Sequence, residues 1–233
     1  MPAALVRYAA RMAHPVNLTV CHDPAEVARR AADAFVEAVA AAGERPAVCL
    51  TGGSTPQATH RLLATPDYAD RVDWPRVHVF FGDERQVPLD DQRSNYRNAC
   101  DSLLDHVPVT AANVHPLTDA DQYEGLLRAF FGERCEFDFL YLGMGDDGHT
   151  ASLFPGSVSL LEQERWVIDP PDVVQGMARH TLTLPALNAA RRTYFLVTGE
   201  VKAAPLARIR AGEPLPAGMV QGAQWLVDRA AAG

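Results

Sequence analysis

The sequence predicts an α/β protein on an open, mostly parallel, doubly wound sheet. Two observations carry that expectation. Four short runs, Ala47–Leu50, Val77–Phe81, Phe137–Leu142 and Thr193–Val197, are nearly continuously apolar, as strands covered on both faces are. Helical patterns separate them, and that alternation is the mark of βαβ units.

The elements follow in order. Asn17–Cys21 reads as a short opening strand. Asp23 is placed to cap a helix, with Pro24 at the first helical position and Glu26 completing a capping-box pattern. That helix should turn Val27, Ala31, Ala34, Phe35, Ala38 and Val39 inward and stop at Gly43. Further helices are expected over Pro56–Ala64, Asn95–Leu104, Asp121–Phe131 and Glu200–Arg210. Between Val167 and Leu184 the pattern is irregular, with Pro170-Pro171 and one candidate strand at His180–Leu184. No stretch has the composition of a linker, so residues 1–233 are expected to form a single domain.

Composition narrows the function. The net charge is −8, which argues against nucleic acid or an anionic membrane as partner. A small anionic substrate stays open, because a local cluster of cations and backbone N–H groups can bind one phosphate inside an acidic protein. No apolar run approaches the roughly 20 residues needed to span a bilayer. The opening Met1-Pro-Ala-Ala-Leu-Val-Arg7 lacks the features of a secretory signal. Cys21, Cys49, Cys100 and Cys135 are far apart and form no Cys-x-x-Cys pair, as expected of thiols in a reducing cytoplasm. A monomer is expected at this length.

In open α/β sheets, ligands sit beyond the carboxyl ends of the strands, and each of the four central strands ends in an unusual loop. Thr51-Gly-Gly-Ser-Thr-Pro56 combines Gly52, Gly53, Ser54 and Thr55 at a helix start. It reads either as an anion nest or as a plain turn with a hydroxyl cap. No Gly-Lys-Ser/Thr follows, so it is not a nucleotide P-loop. Gly82-Asp-Glu-Arg85 puts three charges at a strand end, either as a surface ion pair or as the wall of a polar site. There Arg85 offers a planar fork to a phosphate or carboxylate, and Asp83 can take a hydroxyl or orient a base.

The third loop, Gly143-Met-Gly-Asp-Asp-Gly-His149, matches G-x-G-x-x-G. Asp146 and Asp147 would repel a pyrophosphate, so the dinucleotide reading fails. His149 is instead a candidate general base, the alternative being a structural histidine held by a loop carbonyl. His78 lies inside a strand and reads as structural. No ligand spacing makes a metal site. In the fourth loop, Gly199-Glu-Val-Lys202, Lys202 falls in the first turn of a helix, where the dipole disfavours a cation. A bound anion would explain it, as would a solvated lysine balanced by Glu200.

Together, Thr51–Pro56, Gly82-Asp-Glu-Arg85 with Ser94-Asn-Tyr96, Gly143–Gly156 and Gly199-Glu-Val-Lys202 resemble the 6-phosphogluconolactonase family, in that family's order and over most of the chain. The resemblance implies a glucosamine-6-phosphate deaminase-like fold with a modified Rossmann-type sheet. It also implies hydrolysis of 6-phospho-D-glucono-1,5-lactone to 6-phosphogluconate, the second step of the oxidative pentose phosphate pathway, with neither metal nor cofactor. The sibling deaminases carry an acid shortly after the Asp-Gly-His step, where this chain has Phe154. The resemblance further implies that the 52–55 nest, Lys202 and Arg85 take the phosphate, that His149 activates water and that Asp147 orients it. Loop N–H groups near Gly145 or after Gly148 would receive the oxyanion, Arg85 being the other candidate, and Asp83 would hold hydroxyls or position water. The rival readings are an amino-sugar phosphate deaminase and a non-catalytic sugar-phosphate-binding protein. The latter usually carries a DNA-binding segment, for which this acidic chain has no basic helix-turn-helix extension.

Overall fold

A computed structural model describes residues 16–233; the opening residues read above for a secretory signal lie outside them. The strands are β1 (Asn17–Cys21), β2 (Ala47–Leu50), β3 (His78–Phe81), β4 (Asp83–Arg85), β5 (Phe139–Leu142), β6 (Val167–Ile168), β7 (Arg179–Leu182), β8 (Thr193–Val197) and β9 (Gln224–Asp228). The α-helices are α1 (Pro24–Ala41), α2 (Ser54–Leu63), α3 (Pro66–Ala69), α4 (Asn95–Ser102), α5 (Ala120–Phe131), α6 (Leu184–Ala189), α7 (Ala203–Arg210) and α8 (Arg229–Ala232).

Six strands form one sheet in the order β1-β9-β8-β5-β2-β3, every pair parallel. The four apolar runs supply its centre and one edge. From β2 the chain steps outward to β3, then returns past β2 to β5 and continues the other way through β8 and β9. The order therefore reverses between β2 and β5, and the crevice outside their carboxyl ends is the switch point where such sheets bind ligands.

Both faces are covered. On one, Phe35 of α1 packs on Trp74, Phe139 and Tyr141 at ring distances of 5.7, 5.6 and 6.1 Å. On the other, Phe80 of β3 meets Phe130, Phe131 and Phe137. Each fully buried ring contributes about 1.5–3 kcal/mol relative to exposure.

The start of α1 follows the expectation, with Asp23 accepting from the Glu26 amide at 2.8 Å. Glu26, however, reaches back to His22 N–H rather than to the cap residue. The helix ends at Ala41, and Ala42 caps it in an extended conformation with its N–H on Val39, so Gly43 supplies no left-handed cap. Ala34 is only half-buried, while Ala28, Ala32 and Val36 join the buried face.

The irregular stretch holds what periodicity missed. β4, β7 and β6 form a second, antiparallel sheet in that order, with Asp83 opposite Thr181 and Arg85 opposite Arg179. The candidate strand His180–Leu184 corresponds to β7, which begins one residue earlier at Arg179 and ends two earlier at Leu182, Leu184 opening α6. Of Gly82-Asp-Glu-Arg85, the last three residues are thus a strand of this sheet and not a loop. Two- to four-residue strands with charges at their ends carry too little periodicity to be read from sequence.

Candidate active site

The carboxyl ends of β8, β5, β2 and β3 are neighbours, so their four following segments meet in one crevice. It encloses about 240 Å³ and is lined by Thr51–Pro56, Asp83, Arg85, Gly143–Asp146, His149, Thr198 and Lys202, with Asn95 and Arg179 besides.

The β2 loop builds an anion nest. Gly53 takes φ 112°, a conformation that favours glycine, and leads into α2 as its N-cap. The first amides of α2 face no carbonyl of their own helix, and its dipole favours negative charge there. Gly52 is needed for close approach, because a Cβ there would fall on the Asn95 side chain and 3.2 Å from Arg85 Nη1. Thr55 Oγ1 lies 2.7 Å from Thr198 Oγ1, which ties this loop to the end of β8.

The β5 loop holds His149, the candidate base. His149 Nδ1 is 2.6 Å from Asp147 Oδ1, and the same oxygen accepts the His149 amide at 2.9 Å. Asp147 stands behind the imidazole and does not line the crevice. Gly145 makes the arrangement possible, since a Cβ on it would overlap the imidazole 2.1 Å from Nδ1. Gly148, at φ 85°, turns the chain against Leu215. The Phe154 ring packs on His149 at 4.7 Å between centroids.

Three of the amides around the expected oxyanion position are already committed. Gly145 N–H donates to the His149 carbonyl at 2.9 Å, Gly148 N–H to the Gly145 carbonyl at 3.1 Å, and His149 N–H to Asp147. The tight turn that holds the imidazole thus uses those three donors.

The small sheet contributes the charges. Asp83 is buried; its Oδ2 accepts from Ser152 Oγ at 2.7 Å and its Oδ1 from Asn95 Nδ2 at 3.0 Å, with Arg179 Nη1 at 4.0 Å from Oδ2. Each of its oxygens thus accepts a hydrogen bond from the protein, and Asp83 also lines the crevice, where the sequence reading had it hold hydroxyls or position water. Asn95 Oδ1 in turn accepts from Arg85 Nη1. Glu84, also buried, accepts from Ser94 Oγ and from the amides of Arg85, Asn95 and Tyr96, fixing the start of α4. Burial raises its carboxyl above the usual range, against the pull of those four donors.

Lys202 is the last residue of a 3₁₀ turn and the N-cap of α7. Its Nζ lies 3.4 Å from Asp146 Oδ1, so Asp146 and not Glu200 balances it. The Asp146 carboxyl is held below its usual range by a backbone N–H first and by the Lys202 charge second.

His78 is structural, with Nδ1 3.1 Å from His115 Nε2. The four cysteines are free thiols, and among the described residues no three His, Cys, Asp or Glu side chains cluster to hold a metal ion. Two site residues escaped the sequence reading. Asn95 stood inside a noted motif without a role. Arg179 was passed over because the strand was begun at His180, yet an arginine heading an apolar run is the anomaly that would have exposed it.

Comparison with known proteins agrees with this geometry. The family profile described as glucosamine-6-phosphate isomerases/6-phosphogluconolactonase matches residues 22–227. The 6-phosphogluconolactonase of Mycobacterium tuberculosis is 38% identical over 230 residues, covering 89% of this chain and 92% of that one. That of Synechocystis is 38% identical over 204 residues, covering 79% and 82%. The crystal structure of the Thermotoga maritima 6-phosphogluconolactonase superposes with a TM-score of 0.80 at 29% identity, over 93% of this chain and all of that one. On the match of profile, relatives and strand-end loops alike, the chain belongs to the glucosamine-6-phosphate isomerase/6-phosphogluconolactonase family.

Proposed function

We propose that this chain hydrolyses 6-phospho-D-glucono-1,5-lactone to 6-phosphogluconate in the oxidative pentose phosphate pathway, as a monomeric, single-domain enzyme of the cytoplasm. The observation that carries the reading is the Asp147–His149 pair opening onto a crevice whose opposite wall is a phosphate nest. Among the described residues no helix is long and apolar enough to cross a membrane.

The Gly52–Thr55 nest takes the phosphate, with Arg85 and Lys202 supplying charge. Lys202 exchanges Asp146 for the phosphate when substrate arrives. Anchoring one end orients the lactone carbonyl at the other, and orientation supplies much of the rate. His149, its Nδ1 held by Asp147, removes a proton from the attacking water. Phe154 stands where the deaminase siblings carry an acid for sugar ring opening, which favours lactone over amino sugar. Asp83 acts through Asn95 and Arg179, which it orients.

A coupled assay tests the reading. Glucose 6-phosphate and its dehydrogenase generate the lactone, and 6-phosphogluconate dehydrogenase reports the product after subtraction of spontaneous opening. Acceleration by the wild type and not by His149→Ala is expected. No acceleration by the wild type, with ammonia released from glucosamine 6-phosphate, would replace this reading with the deaminase.

A further inference from the structure

Arg179 is 6% exposed, faces the crevice, and makes no hydrogen bond through its guanidinium to any described residue. Its Nε is buried without a partner, and its nearest anion, Asp83 Oδ2, is 4.0 Å away and already bonded to Ser152. A buried guanidinium with so few of its five donors matched is costly unless a ligand completes it. Its surroundings show which part of a ligand that is. Arg85, directly opposite on β4, turns toward Asn95 and Gly52 and so toward the nest. Arg179 turns the other way, 5.8 Å from the centroid of Phe154, the ring that packs on His149. The two cations thus have different neighbours in one crevice, Asn95 and Gly52 for Arg85 and the Phe154 ring beside His149 for Arg179.

We propose that Arg179 binds the lactone carbonyl oxygen and carries the oxyanion, leaving Arg85 to the phosphate; this rests on the lactonase reading above. With the Gly145, Gly148 and His149 amides committed, the guanidinium is a donor free to serve the reacting end. Water adds to C1 as His149 takes its proton, and the carbonyl electron pair moves onto oxygen beside Arg179. Collapse of the tetrahedral species breaks the bond from C1 to the ring oxygen. That oxygen leaves as the C5 hydroxyl, taking the proton from the imidazolium. The acid formed at C1 ionises, and its carboxylate stays paired with Arg179 until release.

The test separates the two arginines and the two readings. Arg179→Gln should lower kcat by about 10²–10³-fold with KM within about threefold. Arg85→Gln should mainly raise KM. Calorimetry supplies a readout without turnover, using 6-phosphogluconate and glucitol 6-phosphate, which lacks the carboxylate. Arg179→Gln should weaken only the first ligand, and Arg85→Gln both. If Arg179→Gln fails to fold, Arg179→Lys keeps a charge opposite Asp83 but loses the fork, and the same selective loss is expected. Equal weakening of both ligands by the Arg179 variant, or an unchanged kcat, would overturn the assignment. A wild type that does not open the lactone would overturn the lactonase reading itself, whatever the variants do.

Discussion

One oxygen of Asp147 holds both the imidazole Nδ1 of His149, at 2.6 Å, and the backbone amide of the same residue, at 2.9 Å. The double contact fixes ring and backbone together, so that Nε2 is the nitrogen left for chemistry. Asp147→Asn can present an N–H to Nδ1, which would move the imidazole proton to Nε2 and disable the base. A kcat reduced by about 10²-fold with KM nearly unchanged is expected. A steady-state comparison in which kcat stays within threefold would remove Asp147 from the mechanism.

Gly145→Ala tests the same geometry sterically. Its Cβ would sit 2.1 Å from His149 Nδ1 and 2.8 Å from Asp147 Oδ1, so the imidazole must move. Near-complete loss of turnover is expected in a protein that remains folded, since the clash falls on side chains at the rim. Circular dichroism and the coupled assay on one sample decide it; retained activity would show that the observed imidazole position is not the working one.

Lys202→Ala should raise KM for the phosphorylated lactone about tenfold and leave kcat within about threefold, as expected of a group that holds the phosphate equally in ground and transition states. Asp146→Asn removes the competing carboxylate and should move KM the opposite way, by a smaller factor. Equal KM values in wild type and Lys202→Ala would place the phosphate elsewhere.

Stability should fall with acidification. His60 is fully buried between α2 and α4, and burial lowers its pKa to about 4 from 6.5. Burial has the same effect on His115, also to about 4. The unfolded chain therefore binds protons that the folded chain refuses between these values, and stability is lost as pH drops from about 6.5 towards 4. The lowered His60 pKa corresponds to about 3 kcal/mol at the acid end. Urea melts at pH 7 and 4.5 should show the loss, and His60→Leu should shrink it. An identical pH dependence in the variant would assign the slope to other groups.

The central strands were legible because parallel strands buried on both faces leave short, continuously apolar runs, and Ala47–Leu50 and Thr193–Val197, with the opening Asn17–Cys21, fall on observed strands residue for residue. β9 went unread although Trp225, Leu226 and Val227 are buried, since a lone apolar run late in the chain was not weighed as a strand. The β4-β7-β6 sheet was opaque for another reason: its strands are only two to four residues long, β4 and β7 carry charges, and β4 meets β7 across more than 90 positions, as Arg85 with Arg179.

The sequence by itself determined the parallel α/β framework, the four glycine- and charge-bearing strand ends and the family they match, because those features are local and set by backbone freedom, capping and apolar periodicity. Only the tertiary structure decided how the charges are shared. It tied Asp83 to Ser152 and Asn95, spent three loop amides on the turn around His149, paired Lys202 with Asp146 and brought Arg179 into the crevice. Hydrogen-bond partners are chosen by proximity in space, and a buried donor or acceptor takes whichever partner the fold supplies.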